Sequence, residues 1–366
     1  MPERILVYGM TDNPGGIETY LINQLRALDP DKAIFDFVTD FPSMAYAEEA
    51  KAVGSRIFYI PAKSKGLFSQ LKAMAKILRE HPEYKKVYFN ALDAGVALTE
   101  FVPWLFGRTV ITHSHNGSTD KVKLHKYCKP LLNLFTSKRF ACSAVAAEFM
   151  FGKRKTQIIP NMIRAEKYDY SPELRQKKRE ELGIENNFAV CHIGRLSHQK
   201  NPMGLIDIFE SVYKADNSAV LLSVGSGELE REVHSYASEK NMDGCIRFLG
   251  RRADISEILQ AADVFILPSF YEGLPIVAIE AQAAGLPCVL SENISGEAAI
   301  TDNACFLSLE APLSVWAEKI LSFKNFKRTS KLNELEAAGY DYDHPSKAQI
   351  ELRNYFEGES KGGAKK

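Results

Sequence analysis

Short apolar runs alternate with amphipathic stretches along most of this chain. Residues 4–9 (RILVYG) read as a buried strand, followed by the loop TDNPGG and a helical pattern over residues 18–28 with apolar positions at 21, 22, 25 and 28. Further apolar runs at residues 35–38, 56–60, 87–89 and 109–112 are separated by helical patterns, and that alternation predicts a parallel sheet. A charged, mostly helical link over residues 171–183 leads to a second start. There FAVCHIGRL, a helix from about Met203, AVLLSV and the runs at 246–249 and 264–267 repeat the theme of strand, glycine loop and helix. Residues 340–356 predict an aromatic-rich final helix, and ESKGGAKK a polar, frayed tail. A chain of 366 residues exceeds the ~250–300 at which single cores stop growing. The expectation is therefore two doubly wound α/β domains, residues 1–165 and 166–339, then a helix over 340–358 and a flexible tail over 359–366.

The richest stretch is residues 263–291, DVFILPSFYEGLPIVAIEAQAAGLPCVLS. A buried strand runs into a Pro/Ser/Gly turn carrying Glu272; Pro275 opens an Ala-rich helix that Gly285 closes before a second apolar run. The free amides of a helix start attract anions, phosphate above all. Glu280 lies five residues beyond Pro275, and helical side chains lean toward the N-terminus, so its carboxylate reaches groups held above the helix start. Read alone, this suits a polyhydroxyl ligand carrying phosphate, while a loop acid and a solvated helix position account for the same two charges. In the second half, Arg195 and Lys200 flank the loop SHQKNP beside a helix start. They can clamp two phosphates, or be two surface cations. Gly225, Gly227 and Glu230 mimic a dinucleotide fingerprint that lacks its third glycine, so a nicotinamide cofactor is not expected.

In the first half, Gly15 and Gly16 would let backbone approach a ligand, although paired glycines also simply make turns. His113 and His115 end the strand that carries THSHN, and two residues apart they share a face. Zinc would need further ligands, and none lies nearby in sequence. A histidine donating to a substrate and a satisfied core histidine both fit.

Charge changes the picture more than composition does. Lys and Arg balance Asp and Glu at 46 each, yet residues 1–170 carry 24 basic against 17 acidic side chains, so the first half is basic by about 7. Nine basic residues and one acid fall within residues 121–155 around the apolar PLLNLF, a segment that fits an anionic membrane surface or a solvated basic face. Nucleic acid is a poorer match, with no reading motif and a compensating acidic half. Six scattered cysteines without metal spacing suggest buried thiols in a reducing compartment; with no signal pattern and no apolar run of 18 residues, a cytoplasmic location is expected, at the inner face of the membrane if the basic stretch binds it.

Taken together, NPGGIETYL, THSHN, IIPN, GRLSHQKNP, VGSGELE, FLGRRADI and PSFYEGLPIVAIEAQAAGLPCV, in that order, resemble the retaining glycosyltransferases of family 4. Within that family the set is most similar to members that build bacterial exopolysaccharide and capsule. The resemblance implies a GT-B fold of two Rossmann-like domains facing across a cleft, the final helix crossing back to the first domain. It implies transfer of a sugar from a nucleotide diphosphate donor, UDP being the expected carrier, to a glycan or lipid-linked acceptor hydroxyl, with retention and without metal or other cofactor. Arg195 and Lys200 would neutralise the diphosphate, the amides around Leu274, Pro275 and Ile276 would bind it, Glu280 would take the ribose hydroxyls, and Glu272 would hold the donor sugar. Gly16 would approach the phosphate or acceptor, and His115, with His113 as the fallback, would contact the donor sugar. Glu272 and Glu280 match the family's pair of glutamates spaced by seven residues, whereas Met162 stands where the family often has Gly after Pro-Asn. A catalytically silent nucleotide-sugar-binding subunit and a nucleotide-sugar epimerase are the rival functions on the same fold.

Overall fold

The computed structural model describes residues 2–359, so most of the expected tail, residues 360–366, lies outside the described residues. The chain divides into two compact units. The first comprises residues up to Met162 together with those from Pro345 onward, and the second runs from Ile163 to His344.

In the first unit, β1 (Glu3–Tyr8), β2 (Ala33–Thr39), β3 (Ile57–Tyr59), β4 (Lys86–Ala91), β5 (Thr109–Ser114), β6 (Lys138–Ala141) and β7 (Gln157–Ile158) form one sheet. Its order is β3-β2-β1-β4-β5-β6-β7, and every pairing is parallel. The intervening helices are α1 (Gly16–Ala27), α2 (Ala47–Ala52), α3 (Leu67–Glu80), α4 (Ala97–Leu105), α5 (Val122–Phe135) and α6 (Ala144–Phe151). The strands are nearly continuous apolar runs because helices cover both faces of a parallel sheet. Val87, Phe89, Val110, Met74 and Leu132 meet in one core cluster. β6 lies inside the basic segment, where the charges of KRFA hid a four-residue strand from the apolar pattern.

The second unit contains β8 (Phe188–Ile193), β9 (Ala219–Val224), β10 (Ile246–Gly250), β11 (Val264–Leu267), β12 (Cys288–Ser291) and β13 (Ala304–Leu307), ordered β10-β9-β8-β11-β12-β13 and all parallel. Its helices are α7 (Pro172–Leu182), α8 (Pro202–Ala215), α9 (Glu230–Glu239), α10 (Ile255–Ala261), α11 (Ile276–Ala283), α12 (Leu313–Leu321) and α13 (Leu332–Ala338). Each sheet reverses direction once, between β1 and β4 and between β8 and β11. In open α/β sheets, ligands bind beyond the carboxyl ends of the strands at such a reversal.

The final helix, α14 (Lys347–Phe356), is shorter than the expected 340–358. Ser346 caps it, accepting from the Gln349 backbone N–H, and Pro345, with no N–H to donate, lies just outside the cap. Residues 340–342 run extended beside the link, where Ile163 N–H donates to Tyr340 O and Tyr342 N–H to Ile163 O. The unit boundaries accordingly fall at 162/163 and 344/345, a few residues from those expected. α14 is fastened to the first unit by its side chains. Phe356 is fully buried against Phe35 and Tyr88, and Gln349 accepts from Gln24 Nε2 while donating to Pro160 O. Met162 is buried, with its carbonyl accepting from Asn23 Nδ2 at 3.1 Å, so the residue that departs from the family pattern ends the first unit as packed core. No disulfide joins the six cysteines, five of which are buried.

The two glycines of VGSG serve close packing. A Cβ on Gly225 would come 2.0 Å from Gly194 O, and one on Gly227 would come 2.2 Å from Leu196 O, both backbone atoms that cannot step aside. The loop after β9 is thereby pressed onto the loop after β8, joined by the bonds Leu196 N–H to Ser226 O and Leu229 N–H to Leu196 O. Gly227→Ala should lower the free energy of unfolding by about 2 kcal/mol or more in urea melts followed by circular dichroism. Gly16→Ala, whose added carbon meets nothing within 4 Å, should cost no stability. Equal midpoints for the two variants would contradict this packing.

Candidate donor-binding site

The second unit gathers most of the expected residues at its sheet reversal. Arg195 and Lys200 lie on the loop after β8, Glu272, Leu274 and Pro275 on the loop after β11, and Ile276 at the start of α11; β8 and β11 are adjacent in the sheet. The two loops are laced together. Phe270 N–H donates to Gln199 O, Asn201 Nδ2 to Pro268 O, and Gln199 Nε2 to Tyr271 O, while the His198 and Phe270 rings stack at 4.9 Å. Asn201 adopts a left-handed backbone (φ 52°) and caps α8 by accepting from Gly204 N–H, which ends the Lys200 turn abruptly.

That lacing sets Lys200 Nζ 2.5 Å from Glu272 Oε1, while Gln199 Nε2 donates to Glu272 Oε2 at 3.2 Å. Glu272 is buried and Lys200 half-buried, so the ammonium is neutralised by an acid already oriented by an amide. Arg195 is exposed, its Nε donating to Glu228 Oε2 at 2.9 Å. A surface pair of this kind contributes at most ~1 kcal/mol and yields readily to a stronger anion. A diphosphate would thus compete with two carboxylates for the two cations.

At the start of α11, Pro275 occupies the cap position, one residue before the first helical residue. It has no N–H and offers shape alone. The amides of Ile276 and Val277 find no acceptor among the described residues, as expected of a first turn. Glu280 is buried one turn in and accepts from Tyr168 Oη at 2.6 Å. Burial raises its pKa, a shift that the tyrosine's hydrogen bond opposes. Its second oxygen has no hydrogen-bond partner among the described residues. Beneath Lys200, His192 is fully buried in β8, and neither ring nitrogen has a partner among the described residues. A side chain at Gly194 would come within 3.3 Å of both the His192 ring and the Lys200 stem. Burial, and then the nearby Lys200 charge, push the His192 pKa down to about 3, so the ring is neutral.

In the first unit, Gly16 begins α1 on the loop after β1, exposed, while Glu18 folds that loop by accepting from the Thr11 amide and hydroxyl. His113 and His115 stack at 4.2 Å, as two side chains on one strand face should. Their environments differ. His113 is wholly enclosed, bonded through Nδ1 to Tyr88 Oη at 2.7 Å, and its Nε2 has no partner. His115 lies just beyond the strand and donates from Nε2 to Asn90 Oδ1 at 2.9 Å. Its Nδ1 keeps a lone pair and is not among the enclosed atoms. Burial lowers the His115 pKa to about 3, so it presents a neutral acceptor to a hydroxyl.

The supporting residues Gln199, Glu228, Tyr168, Asn90 and His192 escaped the sequence reading. Gln199, Glu228 and His192 lie within SHQKNP, VGSGELE and FAVCHIGRL, but their partners do not show in those motifs; the pairs of Glu228, Tyr168 and Asn90 act across 25 to 112 residues. Glu336, Asp341 and His344 form the one group of metal-type side chains among the described residues, and it shares no member with those above.

Residues 175–330 match the family model described as glycosyl transferases group 1. Over 325 residues the chain is 30% identical to the putative glycosyltransferase EpsF of Bacillus subtilis, covering 84% of each protein. The chain belongs to the group 1 glycosyl transferases. This glycosyl transferase is also 29% identical over 268 residues to the Escherichia coli UDP-Gal:α-D-GlcNAc-diphosphoundecaprenol α-1,3-galactosyltransferase, covering 68% of this chain and 69% of that one. Among solved structures, Anabaena HepE in complex with UDP and glucose superposes with a TM-score of 0.80 at 21% identity, over 97% of this chain and 100% of that one. The fold of the glycosyl transferase is GT-B, with two Rossmann-like parallel-sheet domains.

The buried neutral histidines have a measurable consequence. His192 protonates near 6.5 when unfolded and only near 3 when folded. Between those values the unfolded chain binds the extra proton, so stability falls as pH falls, by about 1.4 kcal/mol per pH unit for such a group. His192→Leu should make the dependence of unfolding free energy on pH shallower by about that amount from about pH 6 to pH 4. An unchanged slope would mean that the imidazole is charged in the fold.

Proposed function

We propose that this glycosyl transferase moves a sugar from a nucleotide diphosphate sugar, with UDP as the carrier, to a hydroxyl of a lipid-linked glycan, retaining the configuration at the anomeric carbon. The observation that carries this reading is the Lys200–Glu272 pair beside the open amides of α11, with Arg195 on the adjoining turn. A diphosphate brings two or more negative charges, drawing Lys200 and Arg195 from their carboxylate partners while the amides of Ile276 and Val277 receive an oxygen. Released from Lys200, Glu272 accepts hydroxyl donors, as the sugar requires. Glu280, kept in place by Tyr168, offers its second oxygen to the ribose.

The leaving diphosphate carries the charge that grows in the transition state, and prearranged cations and amides stabilise it there. We assign this work to Arg195, Lys200 and the α11 start, without a metal. His115 accepts a hydroxyl of the donor sugar as a neutral ring. No protein nucleophile is assigned; the departing phosphate oxygen takes the acceptor's proton as the new bond forms on the same face. Gly16 leaves room for phosphate or acceptor. Support for donor, acceptor and stereochemistry comes from the E. coli relative, whose name gives a UDP-sugar, a diphosphoundecaprenol acceptor and an α-linked product. An α product is retention when the donor sugar is α-linked to its diphosphate.

Lys200→Ala, Glu272→Ala and His115→Ala should each reduce transfer at saturating donor at least about tenfold while circular dichroism stays native. Near-wild-type rates in all three would sink the assignment. A thermal-shift screen of UDP-, GDP- and ADP-sugars should single out UDP, and EDTA should leave the rate intact; a strict requirement for added Mg²⁺ would refute the metal-free clamp. Donor binding without transfer or slow donor hydrolysis would mark a silent binding subunit, and sugar inversion without acceptor an epimerase.

A further inference from the structure

The first unit carries 27 Lys and Arg against 18 Asp and Glu, and α5 divides that charge in a particular way. His125, Cys128, Leu132 and Phe135 face the core. At 100° per residue, Leu124, Tyr127, Leu131 and Leu134 fall within a second arc of about 80°, and these four are exposed by 40%, 75%, 42% and 63%. Lys123 and Lys126 occupy the adjoining arc, and Lys121 stands at the helix cap. None of these three lysines has an ion-pair partner among the described residues, whereas Lys129 and Arg139, from the same basic segment, bind backbone carbonyls.

The apolar arc continues onto α4. Trp104 and Phe101 pack on Phe135, ring centroids 4.9 and 5.8 Å away, and yet remain about 40% exposed; Leu105 beside them is 63% exposed. Single exposed apolar residues are ordinary. A continuous stripe of leucines and aromatics on two packed helices, rimmed by unpaired lysines, is the pattern of an element lying in the interface of a bilayer.

We propose that the α4–α5 face docks on an anionic lipid bilayer, with Trp104, Leu131 and Leu134 entering the headgroup boundary and Lys121, Lys123 and Lys126 meeting lipid phosphates. Charge complementarity selects this occupant. A second copy of the same face would set lysine against lysine, and a neutral membrane would leave the rim unanswered. The proposal rests on the surface alone, independent of the donor assignment.

Of the two tryptophans, Trp316 is 1% exposed, so a change in emission on docking reports Trp104. With vesicles of mixed phosphatidylcholine and phosphatidylglycerol, the full chain should co-sediment and its emission shift to shorter wavelength. Phosphatidylcholine alone should produce neither effect. Replacing Lys121, Lys123 and Lys126 together by Gln should weaken partitioning about a hundredfold, close to fivefold per lysine. Leu131→Ser with Leu134→Ser should abolish the emission shift while circular dichroism stays native. Salt at about 0.5 M should release the protein, since the Debye length is then only ~4 Å. Equal binding to both vesicle types, or binding indifferent to the lysines, would overturn the proposal. So would light scattering that shows a dimer dispersed by the leucine substitutions.

Discussion

The contact between Lys200 and Glu272 is the point on which the second unit's chemistry turns. An ammonium and a carboxylate half-hidden from water are each costly alone, and their pairing offsets that cost only while geometry holds them together. The holding is done by backbone and amide bonds between the loops after β8 and β11, and those loops are neighbours because the sheet reverses there. One pair therefore couples sheet topology, loop packing and ligand charge. Both cations of these loops are answered by acids, Lys200 by Glu272 and Arg195 by Glu228, so an anion arriving there meets matched pairs rather than bare positive charge.

Neutral, buried imidazoles recur behind this chemistry. His192 lies under Lys200, and His113 stands behind His115, each enclosed with an unbonded ring nitrogen. Burial keeps them uncharged at neutral pH. In the second unit this avoids adding a second positive charge beside a lysine already matched by one acid. In the first, His113 fills the wall against which His115 stacks, and the hydroxyl pair Tyr20 and Tyr88 reaches its Nδ1 from the core side. The acceptor edge of His115 is thus oriented by layers that never reach solvent.

Both sheets, their parallel sense and nearly every strand were legible in the alternation of apolar runs and helical patterns, because a strand buried on both faces leaves an unbroken apolar signature. What escaped had a physical cause in each case. β6 reads KRFA, and its charges lie at the half-exposed end of the strand. α14 proved shorter than its aromatic pattern because Ser346 caps it, and residues 340–342 pair with the link instead. The nine basic residues of 121–155 are indistinguishable in sequence, yet Lys121, Lys123 and Lys126 face water, Lys129 and Arg139 are spent on carbonyls, and Lys138 lies over the Tyr355 ring.

The sequence by itself determined the order of loops at the strand ends, and with it Arg195, Lys200, Glu272 and Glu280, since motif chemistry is local: a helix start, a turn and an acid one turn in. Only the tertiary structure decided how those charges are matched. Glu272 answers Lys200 across 72 residues and Tyr168 answers Glu280 across 112, pairings set by which strands lie side by side. The difference between His113 and His115 likewise needed three dimensions. Two histidines on one strand face are equivalent in spacing, and only the position of the sheet's end relative to the core leaves one ring with an open edge.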